Sequence, residues 1–238
     1  MGKLDGKITL VAGGAGYVGE GIVRAFLKEG ATVIVSARNT QKLEELRGLL
    51  GELASDRFIS ILGDFVQLES AEHLRDEILN QFGRLDAVVA SLGGNWQGNQ
   101  PLTQVSMEDW QQYLQSNLTT HFVAARTFLP VLAQNKGSSY TLLGGGAGQT
   151  AIPNYSLVGI PAAGQLMLAK VIIEEMKGSG VRINEVVVHS LVATRATQGQ
   201  SQPEWITADE IGECIAWLAS DEAHMVSGSI ISLNEQTR

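Results

Sequence analysis

Gly13, Gly14, Gly16 and Gly19 stand between an apolar run, Ile8-Thr9-Leu10-Val11, and a helix-forming stretch, Glu20 to Glu29. Two patterns overlap there. Gly14, Gly16 and Gly19 give G-x-G-x-x-G; Gly13, Gly16 and Gly19 give G-x-x-G-x-x-G, with Tyr17 inside the turn. Glycines at this spacing let the backbone turn tightly and come close to a pyrophosphate, and the start of the following helix offers unpaired N–H groups to an anion. The chemistry this predicts is capture of a dinucleotide's paired phosphates. A bare glycine motif is a weak signal, but this one follows a strand, opens a helix and begins a β-α-β alternation. The alternative is a glycine-rich turn with no ligand.

Strand and helix signals alternate along the rest of the chain. Strands are predicted at Thr32-Val35, Phe58-Leu62, Ala87-Ala90, Tyr140-Leu143, Val181-Val188 and Ser229-Leu233, after the first at Ile8-Val11. Helices are predicted over Gln41-Leu50, Ser70-Phe82, Met107-Gln134 and around Tyr155-Lys177, from apolar residues at helical spacing. This alternation predicts an α/β fold, a Rossmann-like, doubly wound, seven-stranded parallel sheet with helices on both faces, as one domain over residues 1–238. The short apolar strands fit burial on both sides.

Composition narrows the function. The chain has 238 residues, 44% hydrophobic and 18% charged, with a formal net charge of -8. An acidic chain with a pI of about 5.0 is a poor nucleic-acid binder, since phosphate binding needs a basic face. No apolar run is read as a membrane span of roughly 20 residues, and no signal-peptide pattern precedes the first strand. Cys214 is the only cysteine, which rules out an internal disulfide and suits a reducing compartment, the cytoplasm. It reads as a small core residue beside Ile211, Ile215 and Leu218. No metal site is assigned.

These features together resemble the short-chain dehydrogenase/reductase family over nearly the whole chain. The glycine turn is one landmark; Asp64 after the third strand, Leu85-Asp86-Ala87-Val88-Val89 with Gly93, Ser116-Asn117-Leu118, Tyr155, and Gly180-Val181-Arg182-Ile183-Asn184 are others. The resemblance implies that Asp64 contacts adenine and that Ala90 and Gly93 border the cofactor. It implies further that Val192 and Thr194 meet the nicotinamide amide, and that Asn117 and Tyr155 belong to the catalytic set. It also implies a homodimer or homotetramer and a small-molecule substrate. Coenzyme choice follows from charge. A carboxylate ending the second strand would hold ribose hydroxyls and favour NAD(H); here stand Ala37 and Arg38, and a guanidinium can grip a 2′-phosphate, so NADP(H) is favoured over NAD(H).

The pattern breaks at the chemistry. The family's lysine, four residues after the tyrosine, would share one helical face with it, but that position is Gly159, and the next lysine is Lys170. The serine position falls on Gly145. Pro161 is expected to kink the helix or displace its start. A free phenol has a pKa near 10, so roughly one part in a thousand is phenolate at pH 7. It remains an acid, which favours carbonyl reduction over alcohol oxidation. His189, His121, Ser156 and Ser91 are the groups near enough in sequence to compensate. Each histidine is equally readable as an ordinary packed or exposed residue, Tyr155 as a structural aromatic, and Asn117 as a backbone-bonding amide. Trp96 is a candidate for the pocket mouth, and Trp110 is expected to pack. The segment Arg195 to Ile206 is short and polar and is expected to cover the pocket poorly. Two functions follow: an NADPH-dependent reductase of small carbonyl-like substrates, or a cofactor-binding homologue serving as sensor, accessory subunit or scaffold.

Overall fold

The computed structural model describes residues 2–94 and 100–235. Its first half runs β1 (Ile8–Ala12), α1 (Gly19–Lys28), β2 (Thr32–Ala37), α2 (Thr40–Leu50), β3 (Phe58–Leu62), α3 (Leu68–Phe82) and β4 (Ala87–Ala90). The second half runs α4 (Met107–Leu114), a π turn (Gln115–Thr119), α5 (Thr120–Leu132), β5 (Ser139–Gly145) and α6 (Ser156–Glu175). It continues with β6 (Arg182–Val188), the two-residue strands β7 (Val192–Ala193) and β8 (Ile206–Thr207), α7 (Ala208–Ala219) and β9 (Ser229–Leu233). The main sheet has seven parallel strands in the order β3-β2-β1-β4-β5-β6-β9. The winding direction reverses between β1 and β4, which pair through Ala12 and Ala90 at their carboxyl ends. A crevice opens at such a switch point in doubly wound sheets, and ligands bind there.

Alternate strand residues supply two separate cores. Leu10, Ile34 and Val88 face α3, α5 and α6, while Val11, Val33, Val35 and Val89 face α1, α2 and α7. With helices on both faces every residue of β4 is buried, which is why the strand is uniformly apolar rather than alternating. The axis of α1 is set by α7. A Cβ on Gly21 would lie 2.3 Å from the Ala208 carbonyl oxygen, and one on Gly212 would lie 2.4 Å from the Gly21 carbonyl oxygen. The two helices therefore touch backbone to backbone. From β6 the buried Arg182 donates to the Leu218 and Ser220 carbonyls and closes the end of α7.

Several expectations are corrected. The long helix over 107–134 is interrupted by the π turn, which carries Asn117. Pro161 neither displaces nor ends its helix: α6 begins at Ser156 and continues to Glu175, leaving the Leu157 carbonyl without the N–H that proline lacks. α6 is also a 20-residue helix apolar enough to cross a membrane by length and composition, which amends the expectation that no run reaches that length. Here it packs on the sheet through Ala169 and Ile172. The β7–β8 ladder is too short to leave a periodic signal.

The α1–α7 contact is testable by paired substitutions. Gly21→Ala is expected to lower the unfolding free energy by about 1–3 kcal/mol in urea titrations, because the added methyl meets backbone. Gly48→Ala on α2, with nothing within 4 Å of its Cβ position, is expected to raise it by about 0.5–1 kcal/mol. Equal effects at the two sites would show that the helices are not locked there.

Candidate functional site

The glycine turn is built by close approach. Gly13 has φ +84°, and a Cβ there would lie 2.0 Å from the Ser91 carbonyl oxygen just beyond β4. A Cβ on Gly14 would press on Val23 and Val35, and one on Gly19 would lie 2.1 Å from the Gly13 carbonyl oxygen. Gly16 closes the loop by donating its N–H to the Gly13 carbonyl at 2.9 Å. No side chain caps the start of α1, where the Glu20 N–H donates to the Gly16 carbonyl at 2.9 Å and the Gly21 N–H to the Val18 carbonyl at 3.1 Å. A glycine-rich turn against a helix start without a side-chain cap fits a pyrophosphate.

Beside this turn lies a cleft of about 430 Å³. Of the residues singled out from sequence, Gly13, Gly16, Tyr17, Arg38, Asp64 and Gly93 line it. Gly14 and Gly19 shape the turn from behind, and Ala90 is fully buried in β4. Thr194 instead lines a neighbouring cavity of about 480 Å³ with Glu20, Arg24 and Asp209, and Val192 packs against the core. Asp64 spends Oδ1 on the Val66 N–H at 3.0 Å, which shapes the approach to α3. Sequence reasoning missed Lys42 and Arg195, which also line the cleft. Lys42 was legible as a second cation in the first turn of α2, behind the Asn39 cap. Arg195 left no local signal; it reaches back across the fold.

At the expected carbonyl end, Asn117 is fully engaged. Its Nδ2 donates to the Tyr113 carbonyl at 3.1 Å and to Ser116 Oγ at 2.9 Å, and its Oδ1 accepts the Gly94 N–H at 3.0 Å. It fastens the segment after β4 to the π turn. His121 is buried one turn on and donates from Nε2 to the Leu92 carbonyl at 3.1 Å; burial pushes its imidazole down to about 4, so it is neutral at pH 7. Tyr155 caps α6, and its hydroxyl makes no hydrogen bond among the described residues, though the ring is 36% exposed.

Neither Gly159 nor Gly148 faces open space. A Cβ at Gly159 would lie 3.1 Å from the Ala147 carbonyl oxygen, and one at Gly148 would lie 2.7 Å from the Ala162 carbonyl carbon. The 146–148 turn thus lies directly on α6. His189 reaches the same turn, since a Cβ on Gly146 would be 2.7 Å from its Nδ1, while its Nε2 lies 3.3 Å from Ser232 Oγ. Ser156 Oγ is buried without a hydrogen-bond partner among the described residues, and Ser91 lines the cleft. Trp110 packs near Tyr113, Leu157 and Val158, and Trp96 lies outside the described residues. Cys214 is half-buried against the core and burial pushes its thiol up.

Behind Gly144 sits a carboxyl that the sequence reading passed over, although a glutamate inside Asn184-Glu185-Val186-Val187-Val188 was a visible anomaly. Glu185 is 1% exposed. Its Oε1 lies 3.4 Å from Gln165 Nε2, which also donates to the Leu143 carbonyl at 3.0 Å, and its Oε2 has no hydrogen-bond partner among the described residues. A Cβ on Gly144 would be 2.6 Å from Oε1. Burial raises this carboxyl from the usual 4.5 to about 7, against the pull of Lys170.

A doubly wound parallel sheet, a glycine turn at its switch point and a cleft beside it define the class of nucleotide-binding α/β domains. The family model described as enoyl-(acyl carrier protein) reductase, of the short-chain dehydrogenase type, matches residues 13–235. The 3-oxoacyl-[acyl-carrier-protein] reductase FabG of Thermotoga maritima is 25% identical over 248 residues, covering 98% of each chain. D-threitol dehydrogenase of Mycolicibacterium smegmatis is 26% identical over 240 residues, covering 95% of this chain and 91% of its own. Among solved structures, a short-chain type dehydrogenase/reductase from Mycobacterium ulcerans superposes with a TM-score of 0.88 at 21% identity, over 97% of this chain and 89% of that one. ElxO, solved with NADP bound, superposes with a TM-score of 0.88 at 19% identity, over 96% of this chain and 97% of its own. The chain belongs to the short-chain dehydrogenase/reductase family of oxidoreductases, which use NAD(P).

Glu185 gives this site a pH signature. The folded protein keeps its proton between about 4.5 and about 7, where the unfolded chain has released it. Stability therefore falls as pH rises through that window and levels off above it. Glu185→Gln is expected to be more stable than the parent at pH 8 by about 1–3 kcal/mol, with the difference vanishing near pH 4. Denaturant titrations across pH check this; a difference independent of pH would refute it.

Proposed function

We propose that the protein is an NADP(H)-dependent oxidoreductase that reduces a small carbonyl-like substrate. The observation that carries this is the charge at the end of β2: Ala37 stands where a carboxylate would hold ribose hydroxyls, and Arg38 and Lys42 line the cleft beside it. The relative FabG is named as a 3-oxoacyl reductase, and the structural neighbour ElxO is solved with NADP bound. In this reading the glycine turn and the start of α1 hold the pyrophosphate, Arg38 and Lys42 the 2′-phosphate, and Asp64 and Gly93 the adenosine side. The coenzyme, when bound, supplies a hydride. Tyr155 donates the proton to the carbonyl oxygen, and Asn117 keeps the wall after β4 in place. With glycine at 159, no ammonium stands there to stabilise a phenolate, so the reducing direction is the favoured one. The protein acts in the cytoplasm as a homodimer or homotetramer, its subunits joined through the outward apolar side chains Phe122, Ile160, Met167 and Val171.

A second reading has its own support. Gly145 and Gly159 carry no helper groups, and the 146–148 turn closes onto α6. A chain of this kind serves as a coenzyme-binding sensor, accessory subunit or scaffold with little hydride transfer.

Calorimetry separates coenzymes: NADPH is expected to bind at least tenfold more tightly than NADH, and Arg38→Ala to bring the two together. Equal affinities in the parent protein would overturn the preference, and no binding of either would overturn both readings. Steady-state assays then separate the functions. Tyr155→Phe is expected to lower NADPH-dependent reduction at least tenfold without changing NADPH affinity. A parent protein that binds NADPH but turns over no aldehyde, ketone, quinone or enone would leave only the second reading standing.

A further inference from the structure

We propose that Arg195 is the positioning residue that lets this acidic rim accept a pyrophosphate, by neutralising Glu20 at the start of α1 and holding the segment after β7 over the glycine turn. This rests on the reading that the cleft takes a nicotinamide dinucleotide.

Glu20 lies in the first turn of α1, and its side chain is only 10% exposed. A carboxylate there competes with an incoming phosphate for the positive end of the helix and repels it. Arg195 answers that charge directly. Its Nε donates to Glu20 Oε2 at 2.8 Å, and its Nη1 donates to Glu45 Oε1 on α2 at 2.8 Å. Its guanidinium carbon stacks 4.7 Å from the centre of the Tyr17 ring, inside the glycine turn itself. Glu45 also faces Lys42, with Nζ to Oε2 at 3.5 Å, so the charges alternate along the rim from Glu20 through Arg195 and Glu45 to Lys42. Without Arg195, Glu20 has no cation within ion-pairing distance among the described residues, and Glu45 keeps only Lys42.

The backbone carrying Arg195 is braced. Thr194 donates its N–H to Thr197 Oγ1 at 2.9 Å, and that hydroxyl donates to the Val192 carbonyl at 3.0 Å. The polar segment expected to cover the site poorly thus reaches it through one long side chain. Only a guanidinium can give separate N–H groups to carboxylates on two helices while laying its face on an aromatic ring; an ammonium cannot do all three.

The test is a double-mutant cycle read by equilibrium binding of NADPH and NADH, with thermal unfolding as a check on folding. Arg195→Ala is expected to weaken both coenzymes about tenfold or more, since both carry the pyrophosphate, and Arg195→Lys to recover only part of that. Glu20→Gln alone should bind at least as tightly as the parent protein. Glu20→Gln in the Arg195→Ala background should restore at least half of the lost binding on a logarithmic scale, a rescue that a merely structural role of Arg195 does not produce. Unchanged affinity in Arg195→Ala, or no rescue by Glu20→Gln, overturns the role of Arg195 while leaving the dinucleotide reading intact. A parent protein that binds neither coenzyme overturns both. An effect on NADPH alone would move Arg195 to the 2′-phosphate and also overturn the proposal.

Discussion

The site depends on a steric constraint: backbone must meet backbone where β1 turns into α1. Gly13 lies against the Ser91 carbonyl, and Gly19 against the Gly13 carbonyl, at distances no Cβ tolerates. This brings the start of α1 up to the carboxyl edge of β4 and opens the crevice at the switch point. The same device recurs on the far side of α1, where Gly21 and Gly212 let α7 fix the helix axis. The N–H groups offered to an anion are therefore aimed by contacts on both sides of one helix.

Glycine does the opposite work at the other end of the cleft. The run from Gly144 to Gly148 admits Glu185, His189 and the first turns of α6 into space that side chains would otherwise occupy. Gly159 and the 146–148 turn thus belong to one contact in which backbone lies on helix. Tyr155 sits at the margin of that contact as the N-cap residue of α6, its hydroxyl without a hydrogen bond among the described residues.

What could be read beforehand follows the range of each interaction. The alternation of β and α and the glycine turn were legible because their causes are local: burial on two faces makes Ala87-Ala90 uniformly apolar, and Gly13 to Gly19 act within a single turn. The helix carrying Asn117 was placed but not its π turn, because one extra residue in a turn leaves the apolar period almost unchanged. Lys42 could have been counted with Arg38. Arg195 could not, since its partners Tyr17, Glu20 and Glu45 lie at the opposite end of the chain. Pro161 shows the limit of a local rule: near a helix start, one missing N–H is tolerated when the sheet beneath supplies the packing.

The crossing of α1 and α7 also orders assembly in time. The first helix finds its seat only on an element from the far end of the described chain, Ala208–Ala219. During synthesis the β1–α1 unit is made before α7, so the surface around Gly21 stays uncovered until that later helix is made. Closing so long a loop is a slow step in a parallel sheet. The glycine turn is therefore made before α7 and is held in its final orientation only once α7 has been made.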